Sequence, residues 1–203
     1  MRFTMKFGGT SVGTPQRIRD VAALVAASIQ EGNQVAVVVS AMSGVTDSLI
    51  KAARTAAAGD AATYRVIRDD LLVRHWQVVN EVAAPTERTA LHEEIRAALD
   101  NLENLCRAIN VLGEVTPRAM DLVSSMGERF TASLTAAALR AVGQSAEAIL
   151  ATDIIVTDSV FGNARPMMDV TAERVRARLL PLLEAGVTPV VTGFMAATTD
   201  GHV

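Results

Sequence analysis

The chain has 203 residues, of which half are hydrophobic, one fifth are charged and 3% are aromatic. This composition is ordinary for a globular protein with one large domain, and it favours closely packed helices and strands over an aromatic stacking surface. The formal net charge of −3 is not the basic footprint of a nucleic-acid-binding protein.

Cysteine usage and hydropathy restrict the compartment. Cys106 is the only cysteine, so no disulfide can form within the chain, and a cytoplasmic location is expected. We expect Cys106 to be a small apolar side chain that packs within a helix. The first residues contain no apolar run of signal-peptide length. No stretch of about 18 apolar residues is free of charge, so no membrane span is predicted.

The first 40 residues alternate between strand and helix patterns. Residues 3–7 predict a strand, and apolar residues at helical spacing predict a helix from Pro15 to about Ile29, with Gly32 beyond its end. The unbroken β-branched run Val35–Val39 is typical of a strand buried on both faces of a parallel sheet. A strand–helix–strand unit of this kind predicts an α/β fold.

A long helical region follows, at about residues 47–115. Its apolar pattern predicts three helices, which is more than one crossover between strands requires, so we expect a helical lobe beside the sheet. His75 and His92 fall in this region. Neither has a second histidine or cysteine at metal-ligand spacing, so both are expected to be packing or surface residues.

The rest of the chain alternates again. Thr116 and Pro117 predict the N-cap and first position of a helix that runs to about Val142. Strands are predicted at residues 146–150, 154–157 and 188–192, with a loop at 158–169 and a helix at 171–185. One α/β domain accounts for this order.

The segment Lys6–Gly13 carries the clearest chemical signal. Gly8 and Gly9 allow the backbone to turn tightly and to approach a ligand closely. The helix that follows directs free N–H groups at an anion, and Lys6 adds a positive charge. The spacing matches neither a Walker A loop nor a dinucleotide fingerprint. The alternative is an ordinary strand–turn–helix corner with a solvated lysine.

Two further segments have the composition of ligand-binding elements. Ser40–Thr46 follows a buried strand and offers hydroxyl and N–H donors to a carboxylate or phosphate; alternatively, Ser43 only caps the next helix. Gly127 lies inside a helix, where glycine costs about 1 kcal/mol relative to alanine, so a close backbone contact is expected there. Glu128 then projects into a cleft or, alternatively, forms a surface pair with Arg129.

The loop at residues 158–166 has two interpretations. It lines the mouth of a ligand site, or it is a plain surface connection. Asp153 and Asp158 are near enough in sequence to meet at a metal ion, but their spacing does not establish one, and no metal site is predicted.

These motifs together resemble the aspartate kinases of the amino-acid kinase family. The resemblance runs in order over the whole chain and rests on five segments: Lys6–Gly13, Val37–Thr46, Gly127–Glu128, Phe161–Pro166 and Val191–Phe194. It implies a three-layer α/β/α sandwich around a mainly parallel sheet. It also implies transfer of the γ-phosphoryl group of ATP, bound with Mg²⁺, to the side-chain carboxylate of L-aspartate. The product would be 4-phospho-L-aspartate, on the route to lysine, threonine and methionine.

The resemblance also implies roles for individual residues. A carboxylate is already a nucleophile, so the catalytic work is positioning and charge neutralisation. Two unit charges about 4 Å apart repel by about 4 kcal/mol at an effective dielectric constant of about 20, and Lys6 is the catalytic residue expected to offset this. The implied phosphate site comprises Lys6, Phe7, Gly8, Gly9, Thr10 and Ser11. The implied aspartate contacts are Ser40, Thr46, Phe161 and Glu128, the last as partner of the substrate ammonium group.

The resemblance further implies groups that these 203 residues lack. In the family, an arginine and an aspartate that act in the reaction, the rest of the nucleotide-binding half and ACT regulatory domains follow. We therefore expect the chain to be the N-terminal part of a catalytic domain and nearly inactive alone, with residues 188–192 close to an unpaired sheet edge. The full-length protein is expected to be a homo-oligomer. The alternatives are a kinase of another acid, such as glutamate or acetylglutamate, and a non-catalytic binding module of the same fold.

Overall fold

The computed structural model describes residues 1–202. Strands and helices follow one another along the chain as β1 (Arg2–Phe7), α1 (Pro15–Gln30), β2 (Gln34–Val39), α2 (Val45–Ala57), α3 (Ala61–Val82), α4 (Arg88–Leu112), α5 (Pro117–Ser124), α6 (Met126–Ala141), β3 (Ala146–Ile149), β4 (Val156–Thr157), α7 (Met168–Glu184), β5 (Thr188–Thr192) and β6 (Ala197–Thr198). No helix among these residues is both long enough and apolar enough to cross a membrane.

The main sheet has four parallel strands in the order β1-β2-β5-β3. In its register Phe7 pairs with Val39, and Val39 pairs with Thr192. The carboxyl ends of β1, β2 and β5 therefore stop at one level, and the loops that follow them leave the sheet side by side. A second, small sheet pairs β4 with β6 in parallel.

Helices cover both faces of the main sheet, as the three-layer prediction requires. Val37, Val39 and Val190 belong to a large core cluster that continues into α1, α6 and the lobe helices α2–α4. The alternate residue Val38 packs against a smaller cluster that contains Val191 and residues of α7. Because successive strand side chains point to opposite faces, the β-branched runs are buried from two sides.

The predicted helix from Thr116 to Val142 is two helices. Thr116 caps α5 through its hydroxyl, as expected, but α5 ends at Ser124 and α6 begins at Met126. The Ser124 and Ser125 hydroxyls donate to the carbonyls of Asp121 and Leu122, at 3.1 and 2.8 Å. Such side-chain bonds to the backbone compete with the helical pattern, which explains a break at this serine pair.

The expectation of an unpaired edge at residues 188–192 is wrong. Strand β5 lies between β2 and β3, and all of its residues are buried. The last long strand of the chain is inserted into the middle of the sheet, so the edges are β1 and β3. The order of insertion depends on contacts between distant segments, which a local pattern does not record.

Candidate functional site

Two loops meet at the carboxyl edge of the sheet. The loop after β2 donates two backbone hydrogen bonds to the end of β1 and the loop after it: Ser40 N–H to the Phe7 carbonyl at 3.1 Å, and Ser43 N–H to the Gly9 carbonyl at 3.2 Å. Ligands of open parallel sheets bind at this edge. The structure thus brings together two segments that were predicted separately. They are the glycine turn, within Lys6–Gly13, and the serine loop, Ser40–Thr46.

The glycine turn has the shape of an anion cradle. Ser11 N–H closes the turn on the Gly8 carbonyl at 2.8 Å, whereas the N–H groups of Gly8 and Gly9 donate to no group within residues 1–202. A Cβ atom on Gly9 would lie 2.7 Å from the Ala41 carbonyl oxygen, so only glycine allows the two loops to approach this closely. The exposed hydroxyl residue Thr10 follows.

Lys6 and Phe7 leave the strand on opposite faces. In the register Lys6 pairs with Val38, and its side chain is exposed and forms no ion pair within the described residues. Phe7 lines a cavity of about 430 Å³ with Thr10, Ser11 and Arg17. A lysine without a carboxylate partner beside a glycine turn is available to an anionic ligand.

The serine loop leads into α2 through a left-handed glycine. Gly44 is the N-cap residue, with φ of 79°, and no side chain caps the helix. Ser43 is therefore not the cap, and that alternative fails. Ser40 is half-buried beside the turn, and Thr46 is half-buried in the first turn of α2.

Glu128 is buried beside this loop. A Cβ atom on Gly127 would lie 2.7 Å from the Cβ of Ala41 and 3.0 Å from Val45 Cγ1, which is the close contact that the glycine predicted. The Glu128 side chain is 4% exposed, and its Oε2 atom has no hydrogen-bond partner within residues 1–202. The surface Glu–Arg pair is therefore wrong.

The pKa of the Glu128 carboxyl group reflects its burial. Burial raises its pKa, and the backbone N–H groups of Ala41 and of Glu128 itself act in the opposite direction. Burial of a charge without a partner is costly, so a positively charged ligand group would be strongly favoured here.

Phe161 lies in a separate cleft of about 390 Å³, whose lining does not include Lys6, Ser40, Thr46 or Glu128. The cleft is bounded by the α5–α6 junction, the loop at residues 158–166 and the segment after β5. Asp121 accepts a hydrogen bond from Gly162 N–H at 2.6 Å and holds the loop there. The loop therefore lines a ligand-sized opening, and Phe161 does not share its lining with the residues of the serine loop.

Two residues at these clefts and loops were given no role by the sequence predictions. Phe194, after β5, lines the same cleft as Phe161, is 92% exposed and has φ of 54°, the only positive φ of a non-glycine residue among those described. It lies in the Val191–Phe194 segment of the resemblance, which was the signal available. Arg74 of α3 donates to the carbonyl of Ser43 at 2.9 Å and that of Gly13 at 3.4 Å. An arginine among many in a helical lobe has no local signal for this role.

Asp158, His75 and Cys106 have contacts within the fold. The Asp158 carboxylate accepts hydrogen bonds from the N–H groups of Val160 and Arg165. Within residues 1–202 no group of three His, Cys, Asp or Glu side chains is placed to hold a metal ion. His75 packs edge-on against Phe130, and Cys106 is buried, as expected.

Known proteins share this architecture. The model of the amino acid kinase family matches residues 1–203. Aspartokinase 3, chloroplastic, of Arabidopsis thaliana is 31% identical over 195 residues, which cover 94% of this chain and 33% of that protein. Aspartokinase of Geobacillus stearothermophilus is 29% identical over 199 residues, 98% of this chain and 34% of that protein. The chain thus spans about a third of the length of these relatives.

A solved structure agrees with the sequence comparisons. The crystal structure of E. coli aspartokinase III in complex with aspartate and ADP superposes with a TM-score of 0.86 at 25% identity, over 100% of this chain and 42% of that chain. A parallel sheet covered by helices on both faces defines an α/β protein, the class in which ligands bind at the carboxyl edge of the sheet. The chain belongs to the amino acid kinase family.

Proposed function

We propose that the chain forms the phosphate- and amino-acid-binding part of an aspartate kinase. The observation that carries this proposal is the buried Glu128 carboxylate, whose Oε2 atom has no partner within residues 1–202. An α-ammonium group would supply the missing charge and hydrogen bonds. The similarity to aspartokinases of plants and bacteria supports aspartate as the amino acid.

The glycine turn is the proposed phosphate site. The free N–H groups of Gly8 and Gly9 would donate to the terminal phosphate of ATP, and Lys6 would offset its charge. Thr10 and Ser11 would add hydroxyl donors. Mg²⁺ bound with the nucleotide would neutralise part of the phosphate charge.

In the proposed reaction a side-chain carboxylate oxygen of aspartate attacks the γ-phosphorus of ATP. The bond from that phosphorus to the β,γ-bridging oxygen breaks, and ADP leaves with the electron pair. No general base is required because the nucleophile carries no proton at neutral pH. Ser40 and Thr46 would hold the substrate by hydrogen bonds, and Lys6 would reduce the repulsion between the two anions.

A free amino group distinguishes this substrate from acetylated amino acids. Glu128 would pair with an ammonium group, whereas an acetyl amide carries no charge to replace it. Aspartate should therefore bind and N-acetyl-aspartate should not. Glutamate has the same ammonium group and differs by one methylene, which is worth only about 1–3 kcal/mol in discrimination.

Calorimetric titration with L-aspartate tests this proposal. Glu128→Gln is expected to weaken aspartate binding at least tenfold, because a neutral amide replaces the partner of the ammonium group. Glu93→Gln is the matched control, since Glu93 is exposed on α4. N-acetyl-aspartate bound as tightly as aspartate would contradict the role of Glu128, and a preference for glutamate would contradict the substrate.

The phosphate site has its own pair of variants. The chain has two lysines, Lys6 beside the glycine turn and Lys51 exposed on α2. Lys6→Met is expected to weaken Mg-ATP binding and Lys51→Met to leave it unchanged.

An aspartyl-hydroxamate assay of the 203 residues alone is expected to give little turnover. Turnover at the rate of a full-length enzyme would contradict that expectation, and a defined oligomer that binds neither ligand would favour a non-catalytic module.

A further inference from the structure

Arg74 joins the helical lobe to both loops of the site. It lies on α3, is half-buried, and its Nη2 atom donates to the carbonyl oxygens of Ser43 and Gly13, at 2.9 and 3.4 Å. The two carbonyls belong to the serine loop and to the end of the glycine turn. One guanidinium group thus spans two segments that are 30 residues apart in sequence, from a third segment.

Because the peptide bond is planar, a hydrogen bond that fixes a carbonyl also fixes the direction of the N–H group in the same peptide. In a planar trans peptide the carbonyl and the N–H of the next residue point in opposite directions. By holding the carbonyls of Gly13 and Ser43, Arg74 turns the N–H groups of Thr14 and Gly44 away from α3. Neither N–H donates to any group within residues 1–202, although these residues are the N-caps of α1 and α2.

The glycine turn and the serine loop are in close contact beside these peptides. A Cβ atom on Gly13 would lie 3.2 Å from Ser43 Oγ and 3.1 Å from the Gly9 carbonyl, so the loops already touch. Gly44 has φ of 79° and no side chain, so its peptide has little intrinsic preference for one orientation. The hydrogen bonds from Arg74 therefore favour the orientation that turns the Gly44 N–H away from α3.

We propose that Arg74 is a positioning residue that fixes the orientation of the Gly13–Thr14 and Ser43–Gly44 peptides, so that their N–H groups are presented to an anionic ligand. Part of this inference rests on the proposed function, because the ligand it serves is aspartate or the phosphate of ATP. The positioning of the peptides themselves does not depend on the identity of the ligand.

Two variants and one matched control test the proposal. Arg74→Met removes both hydrogen bonds and keeps most of the aliphatic stem, and Arg74→Lys keeps one donor. Arg19→Met is the control, because Arg19 also donates to a backbone carbonyl across the same region, that of Glu81 of α3, at 3.0 Å. Each ¹⁵N-labelled chain is studied by NMR relaxation without ligand, by thermal unfolding and by calorimetry with L-aspartate and Mg-ATP.

The expected result is local. In Arg74→Met the order parameters of the Thr14 and Gly44 amides fall from about 0.85 to below about 0.6, and ligand affinity falls about tenfold. Arg74→Lys recovers part of the amide order and part of the ligand affinity, and Arg19→Met changes neither of these two quantities. The proposal is overturned if Arg74→Met leaves these amides as rigid as in Arg19→Met, or if it lowers the unfolding temperature and mobilises all of α3 equally. If the wild-type chain binds neither ligand, the proposed function fails while the amide measurement still decides the role of Arg74.

Discussion

Gly127 is the residue at which helix α6 touches the loop after β2. A Cβ atom there would meet the Cβ of Ala41 at 2.7 Å and Val45 Cγ1 at 3.0 Å, and neither is the end of a flexible side chain. The glycine costs helix propensity, but it brings the next residue, Glu128, against the serine loop. The glycine in the helix therefore allows α6 to approach the loop closely enough to bury the Glu128 carboxylate.

Gly127→Ala is expected to destabilise the protein. Alanine gains up to about 1 kcal/mol of helix propensity, whereas overpacking typically costs about 1–3 kcal/mol, so a net loss of about 1 kcal/mol is expected in urea unfolding. Gly8→Ala is the matched control for stability, because a Cβ atom on Gly8 meets nothing within 4 Å. Equal unfolding midpoints for the two variants would show that α6 can move away at no cost.

His75 is a buried histidine that stays neutral. Its Nδ1 lies 2.6 Å from the Leu71 carbonyl oxygen, so Nδ1 carries the proton and donates, while the buried Nε2 has no partner within residues 1–202. Protonation would place a second N–H at Nε2 with no acceptor. Burial therefore lowers the pKa of His75 from 6.5 to about 4.

The pH dependence of stability follows from this shift. As the pH falls from about 6.5 to about 4, the unfolded chain takes up a proton on His75 and the folded chain does not, so the free energy of unfolding falls. The loss approaches about 3 kcal/mol at the acid end, at about 1.4 kcal/mol per pKa unit. His75→Gln should flatten the decline in unfolding free energy between these pH values. An unchanged slope in that variant would assign the decline to other groups.

At the scale of elements, Arg140 connects α6 to α4 and β3. It donates from Nε to Glu87 Oε1 at 2.9 Å, from Nη2 to Oε2 at 2.6 Å, and from Nη1 to the Ala146 carbonyl at 2.9 Å. Glu87 is the residue before α4, so this contact sets where the longest lobe helix begins against the sheet. The hydrogen bonds from Arg140 hold the pKa of Glu87 below its usual value.

Arg140→Met is expected to lower the free energy of unfolding by about 2 kcal/mol, since the hydrogen bonds from a charged donor to Glu87 and to the Ala146 carbonyl are lost from partly buried groups. Arg178→Met is the control, because Arg178 forms a single, more exposed pair with Glu147 and should cost well under about 1 kcal/mol. The contribution of the Arg140 pair is present above the ordinary pKa of glutamate and is lost as the pH falls through the lowered value. Equal losses in the two variants, measured by urea unfolding at pH 7, would contradict this assignment.

At the scale of the whole molecule, β1 is one of the two edge strands of the main sheet. It pairs only with β2, and most of its residues are exposed, with Phe3 36% exposed. An edge strand with free N–H and carbonyl groups and an exposed aromatic side chain pairs readily with another chain. The chain is therefore expected to self-associate through β1.

Phe3→Lys is expected to reduce this self-association, because a charged side chain on an edge strand opposes pairing. Sedimentation velocity over a range of concentrations measures it. Val111→Lys is the control: Val111 is 82% exposed at the end of α4, away from the sheet. If both variants associate as the wild-type chain does, β1 is not the contact.

Several elements of this fold can be predicted from short segments of the sequence. The β-branched run of β2, the apolar periodicity of α1 and the Thr116–Pro117 cap each depend on neighbouring residues, and each was predicted close to its observed bounds. The resemblance of five short segments, among them Lys6–Gly13, also predicted membership of the amino acid kinase family, which the family model confirms. The sequence by itself determined these features, since their physical causes are local.

Only the tertiary structure decided where β5 lies, what Arg74 holds and that one carboxylate oxygen of Glu128 has no partner among the described residues. Each of these depends on contacts between segments far apart in the chain. A strand pattern is the same at an edge and in the centre of a sheet, and an arginine on a helix has the same local sequence whether it meets solvent or two loop carbonyls. The burial of Glu128 depends on the approach of α6 to the serine loop, which Gly127 permits but does not by itself produce.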